Sequence, residues 1–175
     1  MKRRSLLAAG AAALASACGY SLQGRGITTD PTVKRIGVPL FKDRTGKAGL
    51  DQQVTQAVME ELLKRGRFTV VRDSANVDAV VEGEIEAWNV VPVGFSSDSG
   101  GVTQASRYSI SLTAKVVYRK IGQKEPIWSS DAFSQRDEYD MGDNASTYFD
   151  REEQTIVRLS EAFARSLVAA MLEAF

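Results

Sequence analysis

Residues 108–119 read YSISLTAKVVYR, and apolar side chains occupy every even-numbered position of this stretch. With Val117 as the one exception, the odd-numbered positions are polar. Successive side chains of a β-strand point to opposite faces, so a period of two predicts a strand with one buried and one polar face. A strand of this length needs a partner strand and a layer of structure that covers its apolar face.

A second long run, residues 77–93, precedes this strand and supplies the partner. Its alternation predicts two faces, with Val81, Gly83, Ile85 and Ala87 on one and Glu82, Glu84, Glu86 and Trp88 on the other. The polar segment SSDSGG at residues 96–101 lies between the runs, which predicts an extended hairpin. A turn at residues 122–126 then leads into a third strand over residues 127–139.

Two helices are predicted from apolar positions spaced by three and four residues. The first covers residues 50–65 and ends at Gly66, and the second covers about residues 148–175, with Asn144 or Ser146 as its cap. Strands over residues 36–41 and 68–71 flank the first helix, which favours a parallel pair, and Pro39 suggests an edge strand or a bulge. We predict an α+β two-layer sandwich, with two helices on one face of a mixed, mostly antiparallel sheet of four to five strands.

The predicted hairpin is longer than the first helix, which is expected to cover it. A 15-residue strand reaches roughly 50 Å, whereas the first helix covers only about 24 Å. Val93, Phe95 and Val102 therefore lie either at an uncovered tip, as a docking surface, or beneath the terminal helix or a bend.

The first 17 residues have the layout of an export signal. Three basic residues, Lys2, Arg3 and Arg4, precede an apolar run that is too short to span a bilayer, which takes about 20 residues. The string Ala15-Ser16-Ala17-Cys18 resembles the lipobox of bacterial lipoproteins, in which the cysteine receives a diacylglyceryl group and an N-acyl chain. An ordinary secretory signal with an incidental cysteine is the alternative, and Arg3-Arg4 leaves the export route open between the general and twin-arginine pathways.

Removing this signal leaves 19 of the 22 Lys and Arg residues against 22 Asp and Glu, a net charge of −3, which argues against a nucleic-acid partner. Residues 18–32 are predicted to be a lipidated linker, and residues 33–175 a single periplasmic α+β domain. The lone cysteine, Cys18, allows no internal disulfide.

Enzymatic chemistry is poorly supported by the residues available. The chain has no histidine, which excludes Ser-His-Asp catalysis and histidine-ligated zinc. Only carboxylates, Lys and Tyr remain for acid–base work. Glu82, Glu84 and Glu86 could serve as acid and base or as ligands for a hard cation, but they are spaced as on any solvent-facing strand. We predict no enzyme, no metal site and no cofactor other than the lipid on Cys18.

Aromatic and basic residues on the strands have two interpretations each. Trp88 and Trp128 either pack in the sheet, which we favour, or mark a binding surface. Five cations either meet lipid phosphate or form a solvated sheet face: Arg107, Lys115, Arg119, Lys120 and Lys124.

Four segments together resemble the lipopolysaccharide-assembly lipoprotein family, LptE. They are CGYSL at residues 18–22, IGVPLF at residues 36–41, Ser106-Arg107-Tyr108 opening the alternating run, and the terminal helix with its acidic start. The resemblance implies two helices on a mixed sheet, an anchor in the inner leaflet of the outer membrane, and a periplasmic body inserted as a plug in the barrel LptD. Gly19 after the cysteine fits release to the outer membrane.

The same resemblance implies that this lipoprotein contacts lipopolysaccharide through basic residues near the tip of the sheet. Residues 94–106 contain no Lys or Arg, so Arg107 and Lys115 are the candidates here. The expected partners are an LptD-type barrel, lipopolysaccharide and, through the anchor, the membrane. A second resemblance remains open, because residues 36–71 are also similar to the start of periplasmic lipoproteins that build secretion channels or activate peptidoglycan synthases.

Overall fold

The structure is a computed structural model that describes residues 32–97, 101, 103–140 and 147–173, with no account of the side chains of residues 147–151 and 173. The predictions for Cys18, Val102, Asn144 and Ser146 lie outside these residues. Six strands and two helices follow in chain order: β1 Arg35–Gly37, β2 Lys42–Asp43, α1 Leu50–Lys64, β3 Thr69–Val71, β4 Ala79–Ser97, β5 Thr103–Lys120, β6 Trp128–Asp140 and α2 Thr147–Glu173.

The strands form one mixed sheet in the order β3-β1-β4-β5-β6. The short strands β3, β1 and β2 are parallel to their neighbours, whereas the long strands β4, β5 and β6 pair antiparallel. The predicted mixed, mostly antiparallel sheet is therefore confirmed. Five strands lie on the main path, as predicted, and the two-residue β2, which pairs with β4, makes a sixth.

The unit β1-α1-β3 has the predicted parallel pairing, with Arg35 opposite Thr69. Helix α1 ends at Lys64, and Gly66 has a φ of 68°, a left-handed conformation that glycine adopts without strain. Of the two interpretations of Pro39, the edge strand is wrong, because β1 lies between β3 and β4. The bulge agrees with the register, since four residues separate Gly37 from Lys42 and only three separate their partners Val80 and Glu84. The strand ends at Gly37, so the missing N–H of the proline removes no bond from the ladder.

One hydrophobic core lies between the helices and one face of the sheet. The even-numbered side chains of β5, from Ile110 to Tyr118, are buried in it, as the alternation predicts. The ring of Phe133 on β6 meets that of Phe163 on α2 edge to face at 5.3 Å. Neither helix is apolar enough over a sufficient length to cross a bilayer. The opposite face of the sheet, which we call the open face, carries the odd-numbered side chains of β5.

A β-bulge in β4 overturns part of the predicted alternation. Ile85 lies opposite Ala114 but Ala87 lies opposite Thr113, so Glu86 is an extra residue. Beyond the bulge the faces exchange: Ala87 belongs to the open face, and Trp88 packs against the core opposite Leu112. Trp128 also packs against the core, edge to face with Phe133, so the interpretation of both tryptophans as packing residues is confirmed.

Asp78 ties the first residues of β1 to those of β4. Its carboxylate accepts hydrogen bonds from the backbone N–H groups of Lys34 and Arg35, at 2.9 and 2.8 Å. Because these bonds favour the ionised form, the pKa of Asp78 is lowered from its ordinary value of 3.8.

A carboxyl with a lowered folded pKa stabilises the fold above its unfolded pKa and loses that contribution as the pH falls through the folded pKa. We therefore expect Asp78→Asn to lower the thermal midpoint at pH 7, and the difference from the wild type to shrink below about pH 4. Thermal unfolding at both pH values measures this. Glu125→Gln, at an exposed carboxyl in the nearby turn, should change neither midpoint. A deficit for Asp78→Asn that is equal at both pH values would contradict the assignment.

Candidate interaction surfaces

The far end of the hairpin, Val91–Ser97 of β4 with residues 103–107 of β5, extends beyond the core, and we call it the hairpin tip. Val91, Val93 and Phe95 are 50%, 48% and 64% exposed. The predicted uncovered tip with exposed Val93 and Phe95 is confirmed. Apolar side chains that remain exposed together in an otherwise polar surface are typical of a docking site.

The backbone of the hairpin tip is irregular in a way that shapes this surface. Pairing shifts between Pro92 and Gly94 and again between Gly94 and Phe95. A Cβ on Gly94 would lie 2.9 Å from the Cβ of Arg107, so the close approach of the two strands requires glycine there. Beyond its pairing with β1 and β2, β4 is an edge of the sheet. Its bulges and proline discourage pairing with a strand of another sheet, so we expect side chains to make the contacts at the tip.

Arg107 and Lys115, the residues predicted to contact lipopolysaccharide, both lie on the open face of β5 but not at a common site. They are eight positions apart along the strand, which corresponds to roughly 26 Å. Arg107 donates to Asp140 of β6 at 2.7 Å, and Lys115 forms an ion pair with Asp131 at 2.6 Å. Hydrogen bonding to these carboxylates raises the pKa of both cations. Only Arg107 belongs to the hairpin tip.

The rest of the open face is charged, and several of its charges form ion pairs. Glu82 accepts from Arg119 at 3.1 Å, which raises the pKa of that arginine, and Glu84 is paired with Arg44. A cleft of about 340 Å³ on this face of the sheet is lined by Lys42, Glu82, Glu84 and Lys115 among others. Within the part of the chain that the structure describes, no group of carboxylates is arranged to hold a metal ion. The open face is thus polar over this part of the sheet and carries charges of both signs.

The remaining predicted cations, Arg119, Lys120 and Lys124, lie at or just beyond the other end of β5. The fold brings further basic residues to this end that the sequence analysis did not connect with them: Lys34, Arg35, Lys64, Arg65 and Arg67. We call residues 32–35, 64–68, 78 and 119–126 the basic end. The run KRGR at residues 64–67 was a visible signal, but its cations fit the end of a helix equally well.

Comparison with known proteins identifies the family. The profile of the LptE family, described as lipopolysaccharide-assembly, matches residues 33–171. No curated protein matches the sequence. Among solved structures, the hypothetical protein CT253 from Chlamydia trachomatis is similar in fold, with a TM-score of 0.53 and 12% identity over 82% of this chain and 99% of that one.

Two further solved structures are lipoproteins. The rare lipoprotein B from Shewanella oneidensis has a TM-score of 0.43 and 12% identity, covering 79% of this chain and 98% of that one. The uncharacterized lipoprotein B from Nitrosomonas europaea has a TM-score of 0.47 and 11% identity, covering 81% of each chain. The match of the family profile over nearly the whole folded body shows that this chain belongs to the LptE family of lipopolysaccharide-assembly proteins.

Proposed function

We propose that this chain is an outer-membrane lipoprotein that faces the periplasm, plugs an LptD-type barrel and assists the assembly of that barrel for lipopolysaccharide transport and insertion. The observation that carries the proposal is the match of the lipopolysaccharide-assembly family over residues 33–171. Membership of this family favours a non-catalytic accessory protein, which works by fitting against another macromolecule.

The open face has the character that a plug needs. Large outer-membrane barrels have polar interiors, and a body inside one must offer hydrogen-bonding side chains to the wall. The open face does so through paired charges such as Glu82 with Arg119 and Lys115 with Asp131. Exposed ion pairs contribute little to folding, so they can exchange partners with a barrel wall at little cost to stability.

The hairpin tip supplies the apolar part of the proposed contact. Val91, Val93 and Phe95 are exposed on the paired strands of the tip. An aromatic anchor that fills a pocket contributes far more to association than the polar contacts around it. Arg107 lies on the same tip and is the stronger candidate for lipopolysaccharide phosphate, with Lys115 as the weaker one. A phosphate that binds Arg107 has to share this arginine with Asp140, which lies 2.7 Å from it, or displace that carboxylate.

Copurification tests the proposal. The lipidated chain, extracted from outer membranes in detergent, is expected to copurify in a one-to-one complex with a heat-modifiable barrel. The double variant Val91→Ser, Phe95→Ser should reduce the recovered barrel by at least about tenfold, because losing apolar anchors at an interface costs more than about 1.4 kcal/mol. Leu63→Ser with Val157→Ser is the matched control, since both residues are exposed apolar side chains on helices, and it should leave recovery unchanged.

Other outcomes have a clear meaning. A large homo-oligomer, or a peptidoglycan synthase in place of the barrel, would contradict the plug and favour the alternative of a secretion-channel or synthase-activator lipoprotein. Equal loss of the barrel in the tip variant and in the helix control would show that general surface change, rather than the tip, controls the complex.

A further inference from the structure

The two edges of the sheet differ in whether their backbone is open to another strand. One edge consists of β3, which is three residues long, and of the part of β4 near the hairpin tip, where register shifts and Pro92 discourage pairing. The other edge is β6, which extends over 13 residues and contains no proline, glycine or lysine. Among the residues that the structure describes, no strand pairs with the outer side of β6. This strand is therefore the long edge of the sheet that remains open.

Residues 133–140 of β6 form a regular stretch of this edge. They pair with β5 without a register shift, from Phe133 opposite Ala114 to Asp140 opposite Arg107. In an antiparallel pair every second residue directs its N–H and C=O toward the neighbouring strand, so the residues between them direct theirs outward. About four residues therefore present backbone donors and acceptors along roughly 26 Å of edge. An extended segment of another protein can add as a strand on such a row.

Helix α2 and the core hold β6 in place from the inner side of the sheet. Gln135 accepts a hydrogen bond from Ser166 of α2 at 3.3 Å. Asp137 accepts one from Arg158, two turns earlier on the same helix, at 3.0 Å. Tyr139 is buried in the core. The edge is thus already in position, so the ordering cost of strand addition falls mainly on the incoming segment.

The even-numbered side chains of the stretch lie on the open face and give the edge a charge pattern. Arg136 and Glu138 are exposed, and neither forms an ion pair with a residue in the described part of the chain. The charge of Glu138 helps to raise the pKa of Arg107, but Asp140 is the carboxylate that Arg107 contacts. Opposite charges directly across a strand pair stabilise it, and like charges destabilise it. The edge therefore favours a segment with an acidic residue opposite Arg136 and a basic residue opposite Glu138.

A second copy of this chain fits the edge less well. Two antiparallel β6 strands that set Arg136 of each copy against Glu138 of the other are symmetric about Asp137. Asp137 of one copy then lies directly opposite Asp137 of the other, and two carboxylates in this position destabilise the pair. The charge pattern is better matched by a segment of another protein.

We propose that β6 is the strand to which an extended segment of the barrel partner adds, alongside residues 133–140. The inference rests on the proposed function, which supplies the partner, and it identifies a strand by which the plug is held. Wall strands of a closed barrel have no free edge, so the added strand belongs to a part of the barrel chain outside the wall. Its backbone pairs with the outward N–H and C=O groups of β6. An acidic and a basic residue, two positions apart, lie opposite Arg136 and Glu138.

Hydrogen exchange distinguishes strand addition from contact between side chains. In the free chain, alternate backbone amides of residues 133–140 are expected to exchange rapidly, because β5 binds only the others. In the copurified complex with the barrel, these amides should exchange at least about tenfold more slowly, whereas the amides of Thr69–Val71 on the opposite edge should not change. Mass spectrometry with single-residue fragmentation measures both. A complex in which residues 133–140 exchange as in the free chain would overturn the inference and leave the proposed function intact.

Exchanging the two charges tests how the segment is recognised. Arg136→Glu with Glu138→Arg preserves net charge and composition but opposes like charges to the segment, so it should reduce the recovered barrel by about tenfold. Lys124→Glu with Glu125→Lys is the matched control at exposed positions in a turn outside β6, and it should leave recovery unchanged. Circular dichroism checks that both variants are folded. Equal recovery with both variants, whether reduced or not, would overturn the inference.

Two further outcomes separate the inference from the proposed function. If the native chain recovers no barrel, the proposed function fails, and the partner assigned to β6 is lost with it. If the free chain forms dimers in which the alternate amides of residues 133–140 are protected, a second copy occupies the edge and the inference alone is overturned.

Discussion

Phe41→Ala is expected to lower the free energy of unfolding by about 3–5 kcal/mol, a large fraction of the roughly 5–15 kcal/mol available to a domain. Phe41 lies between β1 and β2 and is 1% exposed. Its backbone N–H donates to the hydroxyl of Thr55 on α1 at 3.0 Å, and its ring packs beneath Gly83 of β4. Phe41 thus connects the loop, the first helix and the long hairpin, and loss of its buried ring leaves a cavity in the core beside Gly83.

Gly83 permits that arrangement. A Cβ built there would lie 2.2 Å from the Phe41 ring, so Gly83→Ala must displace a buried ring and should cost about 1–3 kcal/mol. In the Phe41→Ala background the added methyl enters vacated space, so the same substitution becomes neutral or slightly stabilising. The double variant should therefore lose clearly less than the sum of the two single variants.

Urea unfolding of the two single variants and the double variant, all in the chain with Cys18→Ser, measures this double-mutant cycle. Phe95→Ala is the matched control for the phenylalanine, because that ring is 64% exposed at the hairpin tip and its loss should change stability by no more than about 0.5 kcal/mol. Additive costs at positions 41 and 83 would show that the ring and the glycine do not constrain each other.

The contact between Phe41 and Gly83 is a part of the fold that the sequence does not predict. Periodicity predicts α1, α2 and the long strands because each repeats one pattern over many residues. It cannot predict that residues 38–41 leave the sheet so that a ring can lie under a glycine, since that depends on contacts across 42 residues. The bulge at Glu86 is likewise invisible, because the apolar residues on either side of it still alternate locally.

The candidate surfaces were likewise predictable from the sequence only in part. The overhang of Phe95 follows from comparing strand and helix lengths, which the sequence provides. The separation of Arg107 from Lys115 follows from their numbering along one strand, yet their pairing with Asp140 and Asp131 depends on the register of β6. The basic end was missed for a topological reason: Lys34, Arg67 and Lys124 become neighbours only when β3, β1, β4 and β5 are set in order.

Cys18→Ser is expected to have the largest effect of all, the loss of stable membrane attachment. Burial of acyl chains contributes about 0.8 kcal/mol per methylene, so two or three chains hold a protein almost irreversibly, whereas a single myristoyl chain holds it only marginally. With serine in that position no thioether to diacylglycerol can form. We expect the membrane-bound fraction of the chain that is not held by the barrel to fall by at least about tenfold.

Fractionation after a high-salt wash, followed by mass spectrometry of the mature N-terminus, measures this result. Ser21→Ala, three residues beyond the modified position, is the control and should remain attached. If the signal were an ordinary secretory one with an incidental cysteine, Cys18→Ser would change nothing and the native chain would carry a free thiol. That outcome would remove the lipid anchor from the proposed function.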